Sequence, residues 1–328
     1  PDDYTVVCHL SNPDSPFMLG VCQVNIASKD YYDSSADEFA TNPVGSGPYK
    51  YTGRSKGSNI TLEAYDGYYR GEAPIKEVNF EVIPDQSTTA IALQTGEVNF
   101  ATIESSTIAQ LSANPNIEIA EVANSGFTYV SMNTEKEPFN DVKVRQAINY
   151  ALDKQTFVDT IIEGRGLVAN SYINAAIPGW TDEVEAYPYD PEKAKELLAE
   201  AGYPDGFECS IFVNGDLRTR SAQILQAQLA DVGIKVDIST YEWGALLDTL
   251  NAGEHEMFLL GWSNTSFDPD GSTYQLFYSG NHGATGNRAF FSNDKVDELI
   301  LSAQRESEES KRMELYKELQ FVLHEESP

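Results

Sequence analysis

Apolar and polar positions follow two different rhythms along the 328-residue chain. Through residue 123 the apolar positions come in short runs of β-branched and aromatic side chains: Thr5–Leu10, Tyr49–Thr52, Asn59–Tyr65, Val78–Ile83 and Ile117–Val122. Turn signals such as Asn12-Pro13 and Asp66-Gly67 separate them, so each run predicts a strand. Two short helices interrupt this series, Ser87–Thr95 ending on Gly96 and Ser105–Ala113. From Phe127 the rhythm changes to strand–helix alternation. Gly126–Asn133 reads as a strand, and a helix opens at Asp141 with Val144, Ile148, Ala151 and Leu152 on one stripe. At 190–201 every helix signal agrees: Asp190 caps, Pro191 fits the first turn, Ala194, Leu197, Leu198 and Ala201 form the stripe, and Gly202 stops it. Strand Glu208–Val213, helix Arg218–Asp231, strand Ile234–Tyr241, helix Trp243–Asn251 and strand Met257–Leu260 follow, and helices over about 294–305 and 308–325 close the chain. This alternation predicts an α/β fold with a helix-covered sheet, and the Asn124–Gly126 step is the candidate lobe boundary.

Charge narrows the function. With 51 acidic against 22 basic side chains the net charge is -29, a surface that repels phosphate backbones and anionic lipid; no nucleic-acid partner is expected. A 41% hydrophobic and 11% aromatic content is too high for a disordered acidic chain. No apolar run reaches the ~18 residues that a bilayer-spanning helix needs. Cys8, Cys22 and Cys209 form no close pair, which argues against a disulfide framework, and Cys8 reads as a strand residue. The chain opens mid-pattern and stops after a helical stretch, as a piece of a longer protein would.

The catalytic signatures fail one by one. His9, His255, His282 and His324 share no helical face, so no metal site is expected. Gly261-Trp262-Ser263-Asn264-Thr265 lacks the last glycine of a nucleophile elbow. In Gly45-Ser46-Gly47-Pro48 the proline removes an amide that a phosphate cradle would use. Asp268-Pro269-Asp270-Gly271 starts like a calcium loop, but Ser279 stands where a bidentate glutamate belongs, and a structural turn is the simpler account. Paired carboxylates acting on a glycan stay open as an alternative, since 51 acids supply many accidental pairs, as does a surface binding module without transport. No catalytic residue and no cofactor is assigned.

Several segments together carry a resemblance. Asn42-Pro43-Val44-Gly45-Ser46-Gly47-Pro48-Tyr49, the stretch from Asp85 to Gly96-Glu97-Val98, Pro138-Phe139-Asn140-Asp141-Val142-Lys143-Val144-Arg145-Gln146-Ala147-Ile148-Asn149-Tyr150-Ala151-Leu152-Asp153, Asp190-Pro191-Glu192-Lys193-Ala194, and Gly261-Trp262 followed by Asp268-Pro269 occur in order along the chain. This set resembles the peptide/nickel-type solute-binding proteins of bacterial ABC importers, family 5. The resemblance implies a two-lobed α/β periplasmic-binding-protein-like fold (type II, cluster C), here a fragment lacking N- and C-terminal parts of lobe I. Residues 1–124 would be partial lobe I and 125–328 lobe II. It also implies a peptide or other small solute held between the lobes and delivered to permease subunits. The protein would be extracytoplasmic, periplasmic or anchored to the outer face of the cell membrane by a lipid in the missing N-terminus.

For the site, the resemblance points to the loop after the last strand. Relatives that bind peptides carry an aspartate three residues beyond the tryptophan, paired with the ligand's amino terminus. Thr265 stands there, a neutral hydroxyl that cannot neutralise an ammonium, with Asp268 or Asp270 as substitutes and Ser263 beside it. Trp262 is expected to touch ligand. Phe127, Tyr129, Ser131 and Asn133 share a strand face that is either core or cleft floor, and the polar members favour the cleft. Trp243 opens a helix and reads first as packing, with ligand contact the alternative. Arg218 and Arg220 could pair with a ligand carboxylate, but a solvated helix start amid so much acid is the simpler reading.

Overall fold

A computed structural model describes residues 2–328, leaving Pro1 outside. Two compact units emerge, one formed by Cys22–Glu121 and the other by the chain up to Val21 together with Val122–Pro328. The first helix, α1 (Phe17–Cys22), is short and buries no residue.

The 22–121 unit opens with α2 (Lys29–Phe39), kinked at Ser35, and then lays down β1 (Tyr49–Ser55), β2 (Asn59–Ala64) and β3 (Glu77–Glu81) as an antiparallel sheet in that order. Register slips at Tyr51/Gly53, where a bulge bends β1. Two helices follow, α3 (Gln86–Thr95) and α4 (Ser105–Ser112). Asp85 caps α3 by accepting the Thr88 amide at 2.7 Å, and Gly96 ends it at φ +77°, a conformation glycine adopts without a Cβ clash. Buried side chains here are few and mostly small: Thr89, Ala90 and Ala92 on α3, Thr107 and Leu111 on α4.

Two expected strands are not formed. Thr5–Leu10 and Ile117–Val122 are irregular, and Tyr4, Val6 and Val122 stand almost fully exposed. Their β-branched composition satisfies a propensity, but a strand also needs a neighbouring edge to bond, and neither segment lies along one. Cys8 is therefore an exposed residue of irregular chain instead of a strand residue.

The larger unit contains β4 (Gly126–Met132), α5 (Val142–Ala151), α6 (Lys154–Ile161), α7 (Pro191–Glu200), β5 (Glu208–Val213), α8 (Gly215–Ala230), β6 (Lys235–Thr240), α9 (Trp243–Asn251), β7 (Met257–Ser263), α10 (Asp270–Phe277), α11 (Asp294–Arg305) and α12 (Glu309–Glu326). Its sheet runs β4-β7-β5-β6, with β5 parallel to both β6 and β7, and β4 antiparallel to β7. The Met257-Phe258-Leu259-Leu260 run has no alternation because both sheet faces are covered. Met257 and Leu259 enter a core with α5, α7 and α8, while Phe258 and Leu260 meet Leu246 and Leu250 of α9 on the other side. A further core gathers Ile173, Ile177 and the buried stripes of α10, α11 and α12. Aspartate caps on α5, α6 and α7 (Asp141, Asp153, Asp190) and Asn293 on α11 set where these helices begin. Because β5, β6 and β7 all point one way and β4 opposes them, the tips of three strands and the start of the fourth share one edge.

Candidate functional site

That edge is where backbone direction, loops and exposed side chains converge. β5 ends at Val213 and passes through Asn214 into α8; β6 ends at Thr240 and passes through Tyr241-Glu242 into α9; β7 ends at Ser263 and enters the loop to α10. In α/β sheets the crevice outside the carboxyl ends of parallel strands is the usual place for ligand. A concavity of about 620 Å³ opens there, lined by Asn214, Gly215, Asp216, Thr219, Thr240, Tyr241, Glu242 and Trp243. Trp243 is 49% exposed, so its indole is offered to the concavity and is not spent on packing as the sequence first suggests. Neither α8 nor α9 has a side-chain cap, which leaves their first amides facing this edge. Charged groups close by are partly spent: Arg220 pairs with Asp216 at 2.9 Å, and Arg218 donates to the Asn214 side chain at 2.8 Å. Burial lowers the Arg218 pKa, so this side chain is not the solvated helix start that its sequence position suggests.

The sequence-derived candidates divide along the strands. Trp262 sits opposite Phe127 in the β4–β7 register, half-buried, with its indole N–H donated to the Gly271 carbonyl at 3.0 Å. Ser263 pairs with Gly126 at the edge and is exposed, as is Thr265. Phe127 and Tyr129 lean on the α10–α12 core and on each other, ring centroids 5.6 Å apart. Tyr129 also meets Phe258 edge-on at 5.9 Å. Burial pushes the Tyr129 phenol up to about 12, against the pull of Arg288 and Arg218. Their shared face is core, and Met132 points to the opposite core as alternation requires.

Two candidates are displaced by the structure. Asn133 follows the C-terminal end of β4, and because β4 runs antiparallel this is the sheet edge opposite the concavity. It is buried, and its amide donates to the Gly253 and His255 carbonyls at 3.1 and 3.3 Å. A partnered Asn is a good interior residue, so its polarity marked a brace and not a cleft. Asp268 is buried as well, its two carboxylate oxygens held by Arg312 at 2.7 and 2.5 Å. Bidentate pairing spends its charge inside the fold. Asp270, two residues on, is pushed up to about 6 by burial, and the Tyr316 hydroxyl approaches it at 3.4 Å. The Asp268–Gly271 segment is the entry to α10.

What the sequence reading missed is the pair of junctions after β5 and β6. Asn214–Thr219 and Thr240–Glu242 carry no motif, yet each follows a strand end that was correctly placed, and applying the strand-tip rule to every strand would have found them. Among the described residues no group of three or more His, Cys, Asp or Glu could hold a metal ion.

A helix-covered sheet with a solute-sized hollow at its strand tips is the architecture of an α/β binding protein of the periplasmic type. The sequence pattern of the bacterial extracellular solute-binding proteins, family 5 Middle, matches residues 1–284, and the chain belongs to that family. It is 33% identical over 341 residues to the heme-binding protein A of Haemophilus influenzae, covering 100% of this chain and 62% of that protein. It is likewise 33% identical over 342 residues to the dipeptide-binding protein of Escherichia coli K12, covering 100% of this chain and 64% of the relative. The periplasmic binding protein DppA of Helicobacter pylori, solved with the peptide STSA, superposes with a TM-score of 0.90 at 34% identity, over 97% of this chain and 64% of that one. The chain thus spans somewhat less than two thirds of the length of these relatives.

Proposed function

We propose that the protein is the extracytoplasmic substrate-binding component of an ABC importer, which captures a peptide or peptide-like small solute between two lobes and hands it unaltered to permease subunits. Residues 1–124 would contribute to lobe I and 125–328 to lobe II, with the whole held in the periplasm or tethered to the outer face of the cell membrane. The observation that carries this reading is the 620 Å³ hollow at the tips of β5 and β6, flanked by the exposed Trp243 indole. Its size suits a small solute, and hydroxyls, an amide, the Asp216 and Glu242 carboxylates and an aromatic face are the mixture that binds polar ligands with apolar ends. Family membership and peptide-bound kin support peptide as the solute class. Nothing at the edge assembles a nucleophile, base and oxyanion donors, so binding without chemistry is the economical account.

The test is calorimetric titration of the chain with di- to tetrapeptides, followed by mass spectrometry of the recovered peptide. Saturable binding with the peptide mass unchanged after prolonged incubation is expected. A peptide that returns cleaved or modified would replace the receptor reading with an enzymatic one.

A further inference from the structure

A second, much smaller cavity of about 10 Å³ lies inside the larger unit, and Tyr129 and Ser131 of β4, Tyr172, Phe277 of α10 and Arg288 are among the residues that line it. Tyr129 and Ser131 are two apart on β4 and so face the same way. Polar groups here are unsatisfied. Among the described residues the hydroxyls of Tyr129, Ser131 and Tyr172 meet no protein hydrogen-bond partner, although Ser131 is only 4% exposed. Native interiors seldom leave three hydroxyls unpartnered around one void. Burial pushes the Tyr129 phenol up to about 12 and raises that of Tyr172 as well, so both stay protonated at neutral pH and can donate.

Arg288 is the one charged residue in the lining. Its Nε donates to the Asn251 side chain at 2.9 Å, yet among the described residues it forms no ion pair, in a chain with 51 acidic against 22 basic side chains. Burial lowers its pKa, and the group that acts against this is the Tyr129 phenol, not a carboxylate. The fully buried arginines of this unit are treated differently: Arg145 holds Glu326 and Arg312 holds Asp268. A guanidinium withdrawn from water needs a counter-charge, and around Arg288 the fold supplies only donors.

We infer that this cavity is a binding site for a monoatomic anion of the chloride or bromide class, held by Arg288, Ser131 and the two tyrosine hydroxyls. The site stands apart from the receptor reading above, because the small cavity and the 620 Å³ hollow share no lining residue. Its volume takes one water-sized particle, which leaves out carboxylates, phosphate and sulfate. A neutral water would satisfy the hydroxyls but leave the guanidinium charge uncompensated. A bound halide ties together β4, the chain around Tyr172 and the 286–289 turn, which already hangs from the end of β4 where the Thr134 amide donates to the Ala289 carbonyl at 2.8 Å.

The test uses the 328-residue chain, with Tm measured in sodium chloride and in sodium gluconate at matched ionic strength so that screening of the -29 net charge cancels. Chloride is expected to raise the Tm by about 3 °C or more over gluconate and to saturate, since an ion that binds only the folded chain stabilises it by mass action. In Arg288→Gln the difference between the salts should fall below about 1 °C, whatever that variant's own stability. Ser131→Ala removes one donor without adding bulk and carries the test should Arg288→Gln fail to fold; it should raise the half-saturating chloride concentration by about fivefold or more. Arg220→Gln, from the exposed pair with Asp216, should leave the chloride effect unchanged. Crystals soaked in bromide should show its anomalous signal between Ser131 and Arg288. Equal Tm values in the two salts, a chloride effect undiminished in Arg288→Gln or Ser131→Ala, one lost in Arg220→Gln, or bromide absent from the cavity would each overturn the inference. None of these results bears on peptide binding, so the receptor reading would stand.

Discussion

His255 is fully buried, and neither ring nitrogen meets the geometry of a hydrogen bond. Its ring packs edge-on to Phe258 at 5.1 Å, and burial depresses its pKa from 6.5 to about 4, with Lys136 and Arg288 adding repulsion. The native state therefore holds a neutral imidazole and resists its protonation. An unfolded chain takes up that proton near pH 6.5, so acid favours unfolding: the contribution is complete above 6.5 and is lost as pH falls towards 4. A shift of this size corresponds to about 3 kcal/mol. Replacing His255 with Phe should flatten the dependence of unfolding free energy on pH between these limits by about that amount, measured by urea titration at stepped pH. An unchanged slope would place the acid sensitivity elsewhere. Nothing in Gly253-Glu254-His255-Glu256 foretells this, because burial depends on Phe290 arriving from a distant segment as well as on the nearby Phe258. The same limit misled the reading of Asn133 and Asp268. A sequence shows that a residue is polar, but not whether its partner, Gly253 or Arg312, waits inside the fold.

Elements were legible where their boundary chemistry is local. Asp190-Pro191 starts α7, Gly96 ends α3, and β5, α9 and α11 fall at the expected residues because caps, glycines and apolar period agree. α1, α2, α6 and α10 went unread: α1, α6 and α10 are short, at 6, 8 and 8 residues, and α2 is interrupted by the non-helical Ser35, so none shows a full uninterrupted stripe. The direction of β4 was also hidden, and that one fact decides which end of the Phe127–Asn133 face belongs to the ligand edge. Contacts between elements follow the same logic. Arg312 of α12 reaches the loop before α10, also donating to the Ala303 carbonyl of α11 at 3.1 Å, so one guanidinium ties three elements. Arg312→Met should lower stability by about 3–5 kcal/mol, because Asp268 is left as an unpaired buried carboxylate. Adding Asp268→Leu should recover much of this loss, as seen by chemical denaturation of both variants. Equal instability of single and double variants would show that the pair's packing, not its charge balance, matters.

For the whole molecule, the net charge of -29 weighed against nucleic-acid and anionic-lipid partners before any fold was known, and the ordered motifs supplied the family. Many of those motif residues turn out to be architectural. Arg145, in the run from Pro138 to Asp153, is buried and donates to the Phe139 and Glu326 carbonyls at 2.8 and 2.9 Å, fastening α5 to the end of α12. The hollow itself is built from residues with no motif, as expected of a scaffold whose frame is shared and whose ligand edge varies. The most direct test of the account is amide hydrogen exchange of the chain with and without saturating Phe-Ala. Protection is predicted at 214–219, 240–243 and 263–268, all on the strand-tip edge. Protection confined to the opposite edge, around 133–137 and 253–256, with those three segments unchanged, would contradict it.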